Sequence, residues 1–218
     1  MASRSGLIFL HGPAGPPDRL GEWLRERGIP YEEHRVWEAP PPPVEGRPFV
    51  ASLGSPHSAV QGAPDWVAYE IAAMRRAVAA EVPVLGLCFG AQTLAIALGG
   101  AVEPSMEPEL GWLRIDSYDD SVPEGPWAQY HYEVVAPPPG ARELARTAAG
   151  PAAFRAGPHL GVQFHPEVTP ERMSEWVRMA PSLPTGITPE LIDEQGARHG
   201  AAARAHAWRL FDAWWAAR

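Results

Sequence analysis

The sequence predicts an α/β fold: a three-layer, open, mostly parallel sheet with antiparallel edge strands and a C-terminal helix. Three observations carry that expectation. Short apolar runs closed by Gly and Pro recur through the N-terminal half, as strands buried on both faces require. Between them, apolar residues repeat at three and four positions, the spacing of a helix with one buried face. The two patterns alternate, as they do in an open α/β sheet.

Leu7-Ile8-Phe9-Leu10, closed by Gly12 and Pro13, reads as the first strand. Leu20, Trp23 and Leu24 form the stripe of a first helix that stops near Gly28-Ile29-Pro30. Tyr31 to Trp37 reads as a second strand, and Pro40-Pro41-Pro42-Pro43 as a stiff surface excursion that cannot join a ladder. Pro48 to Leu53 is a third strand running into Gly54-Ser55-Pro56, and Trp66, Ile71, Met74 and Val78 support a helix from Trp66 to Ala80. Pro83 to Leu87 is the fourth strand and Ala91 to Leu98 the helix after it, with Cys88-Phe89-Gly90 as the turn between.

Beyond Gly99-Gly100 the pattern changes to short alternating segments around Trp112 to Ile115, Tyr130 to Val135 and Gly161 to Phe164. These are expected as antiparallel strands at the sheet edge. Pro189 to Arg218 reads as a helix, and its aromatics, Trp208, Phe211 and Trp215 at helical intervals, as packing on their own domain. Residues 1–180 are accordingly expected as one domain and 181–218 as a helical extension packed upon it.

Composition limits the partners. The chain has 218 residues, 45% of them hydrophobic, enough for a sizeable core. It holds 35 Ala, 26 Pro, 21 Gly and 18 Arg with neither Lys nor Asn, a usage that points to a GC-rich bacterial genome. The net charge of −8 is opposite to what neutralising a phosphate backbone needs, so nucleic acid is excluded as a partner. Cys88, the single cysteine, cannot form an internal disulfide, and the apolar run after Met1 is too short for a signal peptide. A cytoplasmic protein is expected. Val82 to Val102 carries no charge and is long enough to cross a bilayer, yet Pro83, Gly86, Gly90, Gln92, Thr93, Gly99 and Gly100 interrupt it. It reads as a buried strand, a tight turn and a buried helix, and no membrane contact is expected.

The same stretch holds the chemistry. Gly86-Leu87-Cys88-Phe89-Gly90-Ala91-Gln92 sets a nucleophile between glycines where a strand turns into a helix, the device of the serine elbow in hydrolases. The free N–H groups of the helix N-terminus favour negative charge, and that of Phe89 is placed to stabilise an oxyanion. A lone cysteine in an apolar run is ordinarily an inert core residue. A second motif, Gly161-Val162-Gln163-Phe164-His165-Pro166-Glu167, changes that reading. Pro166 favours an extended backbone at His165, and in extended chain alternate side chains share a face. Glu167 can then orient the imidazole while His165 faces the thiol. From the residues alone, this supports a cysteine nucleophile acting on an acyl group.

With both motifs in this order, the chain resembles the class I glutamine amidotransferases, glutaminase modules with a Cys-His-Glu triad on a flavodoxin-like fold, and among them the glutaminase domain of GMP synthase. The likeness covers roughly residues 5 to 175 and includes Leu53-Gly54-Ser55-Pro56 and Tyr130-His131-Tyr132-Glu133. The resemblance implies Cys88 as nucleophile, His165 as acid and base, and Glu167 as its orienter. It further implies backbone N–H groups of Phe89, Gly54 and Ser55 as the oxyanion hole, and Gln92, Tyr130 and His131 as the substrate-binding set. Ser55 stands where Gly-Gly-Pro is commoner in the family. The implied reaction is hydrolysis of the glutamine side-chain amide through a γ-glutamyl thioester, with ammonia delivered to a separate synthetase. Two alternatives stay open: a hydrolase of other γ-glutamyl amides, and a non-catalytic binding or regulatory protein with this fold. No cofactor is expected, and the eight histidines show no metal-ligand spacing. Gly12-Pro13-Ala14-Gly15 lacks the donors and lysine of a phosphate loop. His11 and His57, just after the first and third strands, are read as polar loop residues.

Overall fold

The computed structural model describes residues 5–218. In chain order the elements are β1 (Gly6–Leu10), α1 (Asp18–Glu26), β2 (Tyr31–Arg35), β3 (Val50–Ser52), α2 (Asp65–Ala79), β4 (Val84–Leu87), α3 (Phe89–Ala97) and β5 (Ala101–Leu113). There follow β6 (Asp116–Ser117), β7 (Trp127–Ala136), β8 (Arg142–Arg146), β9 (Pro151–Ala156), β10 (His159–Val162), α4 (Pro170–Met179) and α5 (Pro189–Ala216). An eight-stranded sheet runs in the order β2-β1-β3-β4-β10-β9-β8-β6. Pairings from β2 to β10 are parallel and those from β10 to β6 antiparallel.

Both faces of the central strands are covered, which is why β1, β3 and β4 read as continuous apolar runs. Side chains alternate across a strand. Ile8, Leu10 and Phe49 pack with Leu20 and Trp23 of α1 and with Phe211 and Trp214 of α5. Leu7, Phe9, Val50 and Val84 pack on the opposite face with Ala73 and Met74 of α2 and Leu94 of α3. A further cluster joins Leu110 and Trp112 of β5 to Met173 of α4 and Ile192 of α5.

The structure corrects three readings. The segments around Trp112 and Tyr130 leave the main sheet: β5 and β7 form a separate antiparallel ribbon, with a register break between Pro104 and Glu109. Gly161 is not at an antiparallel edge, since β10 lies inside the sheet and pairs in parallel with β4. Helix α4 has no counterpart among the expected elements. Met173, Trp176 and Val177 of α4 repeat the spacing of Leu20, Trp23 and Leu24 in α1, so the stripe was present in the sequence. Its start was legible too, since Thr169 accepts a hydrogen bond from the Arg172 N–H and Pro170 opens the helix.

Candidate active site

Cys88 is the single residue between β4 and α3. Its φ of 52° and ψ of −106° place it in left-handed space, unfavourable for a side-chain-bearing residue. Neighbours hold it there. Its N–H donates to the Val162 carbonyl at 2.8 Å, which fastens the elbow to β10. A Cβ on Gly90 would stand 2.1 Å from the Ser52 carbonyl oxygen, and one on Gly86 2.4 Å from that of Gly90. The turn closes only because both positions lack side chains. The Gly90 N–H donates to Leu53 O at 3.0 Å, and the N–H groups of Ala91 and Gln92 to Cys88 O. Among the described residues the Phe89 N–H has no backbone acceptor, so it remains open at the helix start.

His165 follows β10, and its N–H donates to Ala128 O at 2.8 Å, tying it to β7. Its Nδ1 lies 2.8 Å from Glu167 Oε1, with both side chains buried. A carboxylate only accepts, so the ring hydrogen sits on Nδ1 and Nε2 is the nitrogen available to the sulfur. The indole of Trp176 on α4 meets the imidazole edge-on at 5.1 Å and is anchored by its own Nε1–H to Ala14 O at 2.7 Å. Burial works against a charge on this ring. The neighbouring Cys88 thiolate and Glu167 carboxylate override it and raise His165 to about 10.

The other expected site residues gather around this pair. Gly54 abuts the imidazole so closely that a Cβ there would be 2.6 Å from His165 Cε1. Ser55 is next in the same loop. The Tyr130 carbonyl lies 3.9 Å from Cys88 Sγ, within reach of the thiol. Gln92 is buried one turn into α3, on the face that Cys88 caps. His131 is buried too, but its Nε2 is directed to Gln129 Oε1 and Glu109 Oε2, each at 3.2 Å. Of the two histidines read as loop residues, His57 is exposed. His11 is not: it is 3% exposed and bonded through both ring nitrogens.

Sequence reasoning passed over three contributors. Gln163 donates its Nε2–H toward Cys88 Sγ at 3.9 Å. It stood in the second motif without a role. Trp176 belongs to the unforeseen α4. Glu70 is wholly buried on the inward face of α2, in line with Val67, Ala73, Met74 and Ala77. A charged residue on an apolar stripe was a signal available in the sequence.

These groups lie at the C-terminal ends of β1, β3, β4 and β10, where open α/β sheets form their sites. Fold and site together define an open α/β protein with a cysteine at its strand-to-helix turn. A profile of the glutamine amidotransferase class-I family matches residues 54–179, and the chain belongs to that family. The glutamine-hydrolyzing GMP synthase subunit of Saccharolobus solfataricus is 41% identical over 98 residues, covering 40% of this chain and 52% of the relative. The glutamine-hydrolyzing GMP synthase of Alkalilimnicola ehrlichii is 33% identical over 167 residues, covering 67% of this chain and 30% of the relative. The chain thus spans about half of the first relative and under a third of the second. The crystal structure of a glutamine amidotransferase from Methylobacillus flagellatus superposes with a TM-score of 0.86 at 26% identity, covering 97% of this chain and 94% of that one. Among the described residues no helix is long and apolar enough to cross a membrane.

Proposed function

We propose that this chain hydrolyses the side-chain amide of L-glutamine through a γ-glutamyl thioester on Cys88 and delivers the ammonia to a separate synthetase. One arrangement carries the reading: a cysteine at a left-handed strand-to-helix turn, beside an imidazole whose far nitrogen is bonded to a buried carboxylate. The Cys88 thiolate attacks the amide carbon and forms the S–C bond. Negative charge then develops on the carbonyl oxygen, facing the N–H groups of Phe89 and of the Gly54-Ser55 loop. As the C–N bond breaks, His165 gives its Nε2 proton to the departing ammonia. His165 next takes a proton from water, whose oxygen attacks the thioester and releases glutamate and the thiolate. Glu167 keeps Nε2 turned toward the sulfur, and Gln92 with the backbone at Tyr130 and His131 holds the amino-acid end. The names of the relatives support glutamine as substrate and a synthetase as acceptor.

The test is covalent trapping by a glutamine-like diazoketone, with and without candidate synthetases. A mass increase on Cys88 is expected, absent from Cys88→Ser. Failure to label under every condition would remove the enzymatic reading. Steady-state comparison with γ-glutamyl amides decides the substrate: fast turnover of such an amide, with negligible glutamine hydrolysis, would replace glutamine.

A further inference from the structure

We propose that His11 and Glu70 are a buried positioning pair that aims the Ser55 N–H at the substrate's reacting carbonyl, an inference that rests on the thioester reaction proposed for Cys88. His11 directly follows β1 and Glu70 lies in α2; their side chains are fully buried, with Nε2 and Oε2 2.6 Å apart. The other ring nitrogen, Nδ1, lies 3.1 Å from the Gly54 carbonyl oxygen. A carbonyl only accepts, so Nδ1 carries a hydrogen. Glu70 Oε2 against Nε2 fixes the ring so that Nδ1 stays turned to Gly54.

The pair is held from every side. Glu70 Oε1 accepts from Ser52 Oγ at 2.8 Å and Thr93 Oγ1 at 3.1 Å, which ties it to β3 and α3. The His11 ring is stacked on Trp66 at 5.3 Å and contacts Phe89 at 4.7 Å. A buried polar pair is a weak source of stability compared with apolar side chains filling the same space. Stability alone therefore does not account for it.

Peptide geometry links the pair to the chemistry. The Gly54 carbonyl and the Ser55 N–H belong to one planar trans peptide and point in opposite directions. Holding the carbonyl toward His11 thus turns the N–H away from it and fixes its direction. The near side of Gly54 is filled by His165, whose Cε1 would be 2.6 Å from a Cβ. Both histidines therefore bear on Gly54, His165 at its Cα and His11 at its carbonyl. An oxyanion donor is effective only when its direction is set before charge develops.

Two single variants separate the two bonds of His11. His11→Asn retains an amide N–H near the position of Nδ1 and gives up Glu70; His11→Gln reaches Glu70 and gives up the donor to Gly54. The measurements are kcat and KM for glutamine and γ-glutamyl p-nitroanilide, the urea midpoint, and the rate of Cys88 alkylation by iodoacetamide, which develops no oxyanion. His11→Gln is expected to lose about 10- to 100-fold in kcat with KM little changed, and His11→Asn to stay within about fivefold of the parent. Stability should rank in the reverse order, because only His11→Asn leaves the buried Glu70 Oε2 without its partner. Alkylation should be equal in all three proteins. Undiminished kcat in His11→Gln would overturn the proposal, as would kcat and alkylation falling in parallel with stability. A parent protein that turns over neither substrate, with or without a synthetase, would overturn the underlying reading instead, and that result appears before any variant is made.

Discussion

At His165 a buried imidazole is held in its charged form by the groups that face it, Cys88 and Glu167. His165 is raised to about 10 against the pull of burial, through Cys88 first and Glu167 second. A raised folded value means that the imidazolium's contribution to stability is fully present below the ordinary histidine range near 6.5 and is lost as pH rises through about 10. The same pairing keeps the proton that ammonia needs on His165 across neutral pH. Replacing Cys88 by Ala removes the larger favourable partner, so the imidazole should titrate at distinctly lower pH in Cys88→Ala than in the parent. An NMR titration of the ring measures this directly, and an unchanged midpoint would refute the ion pair. Cys88, His165 and Glu167 could be picked out in the sequence because short motifs carry them: glycines flank the cysteine, and Pro166 sets the spacing from His165 to Glu167. His11 and Glu70 lie 59 residues apart in no shared motif, and they meet only once β1 and α2 have folded onto the same end of the sheet.

The elements that periodicity foretold are those whose residue pattern is complete within the segment itself. β1, β3 and β4 are wholly buried runs between turn residues, and α1 and α2 each carry a clear inward stripe. The separation of β5 and β7 into their own ribbon was not foretold, since the sheet a strand joins is set by non-local packing, and Pro104 and Pro108 obscure the alternation. The place of β10 beside β4 is likewise non-local, as it rests on Gly161 opposing Gly86. The elbow lies between these cases: its residues are local, but its shape depends on β3. Gly90 touches the Ser52 backbone, which cannot rotate aside as a side chain would. Gly90→Ala should therefore destabilise the protein by about 3 kcal/mol or more through overpacking. Gly12→Ala, with nothing within 4 Å of the added carbon, should change stability by less than about 0.5 kcal/mol. Urea unfolding of the two variants makes the comparison, and equal midpoints would show that β3 and α3 are free to separate.

For the molecule as a whole, α5 joins two cores. Ile192 and Ala203 belong to the cluster beneath the ribbon and α4, and Leu210, Phe211 and Trp214 further along the helix to the main sheet core. Polar contacts fix the register along its length: Gln195 Oε1 accepts from the Trp112 N–H at 2.9 Å, Gly200 O from Arg19 at 3.0 Å, and Asp212 from the Trp23 indole at 3.0 Å. Pro170 of α4 fits over Gly196 and Gly200, where added side chains would collide with it. The inward aromatics of this helix are thus already engaged by the chain itself, and of the half-buried pair Trp208 and Trp215, Trp208 is bonded to Glu26 and covered by Arg204. If α5 is part of the folding unit, its two kinds of tryptophan must differ. Trp214→Ala empties a site between Phe49 and Trp215 and should lower stability by about 3–5 kcal/mol. Trp208→Ala loses mainly an exposed hydrogen bond and a cation–π contact, together about 1 kcal/mol. Thermal unfolding followed by near-ultraviolet circular dichroism reports both. A Trp214→Ala protein that melts with the parent would mean that α5 is held loosely and that its aromatic face is available to another chain.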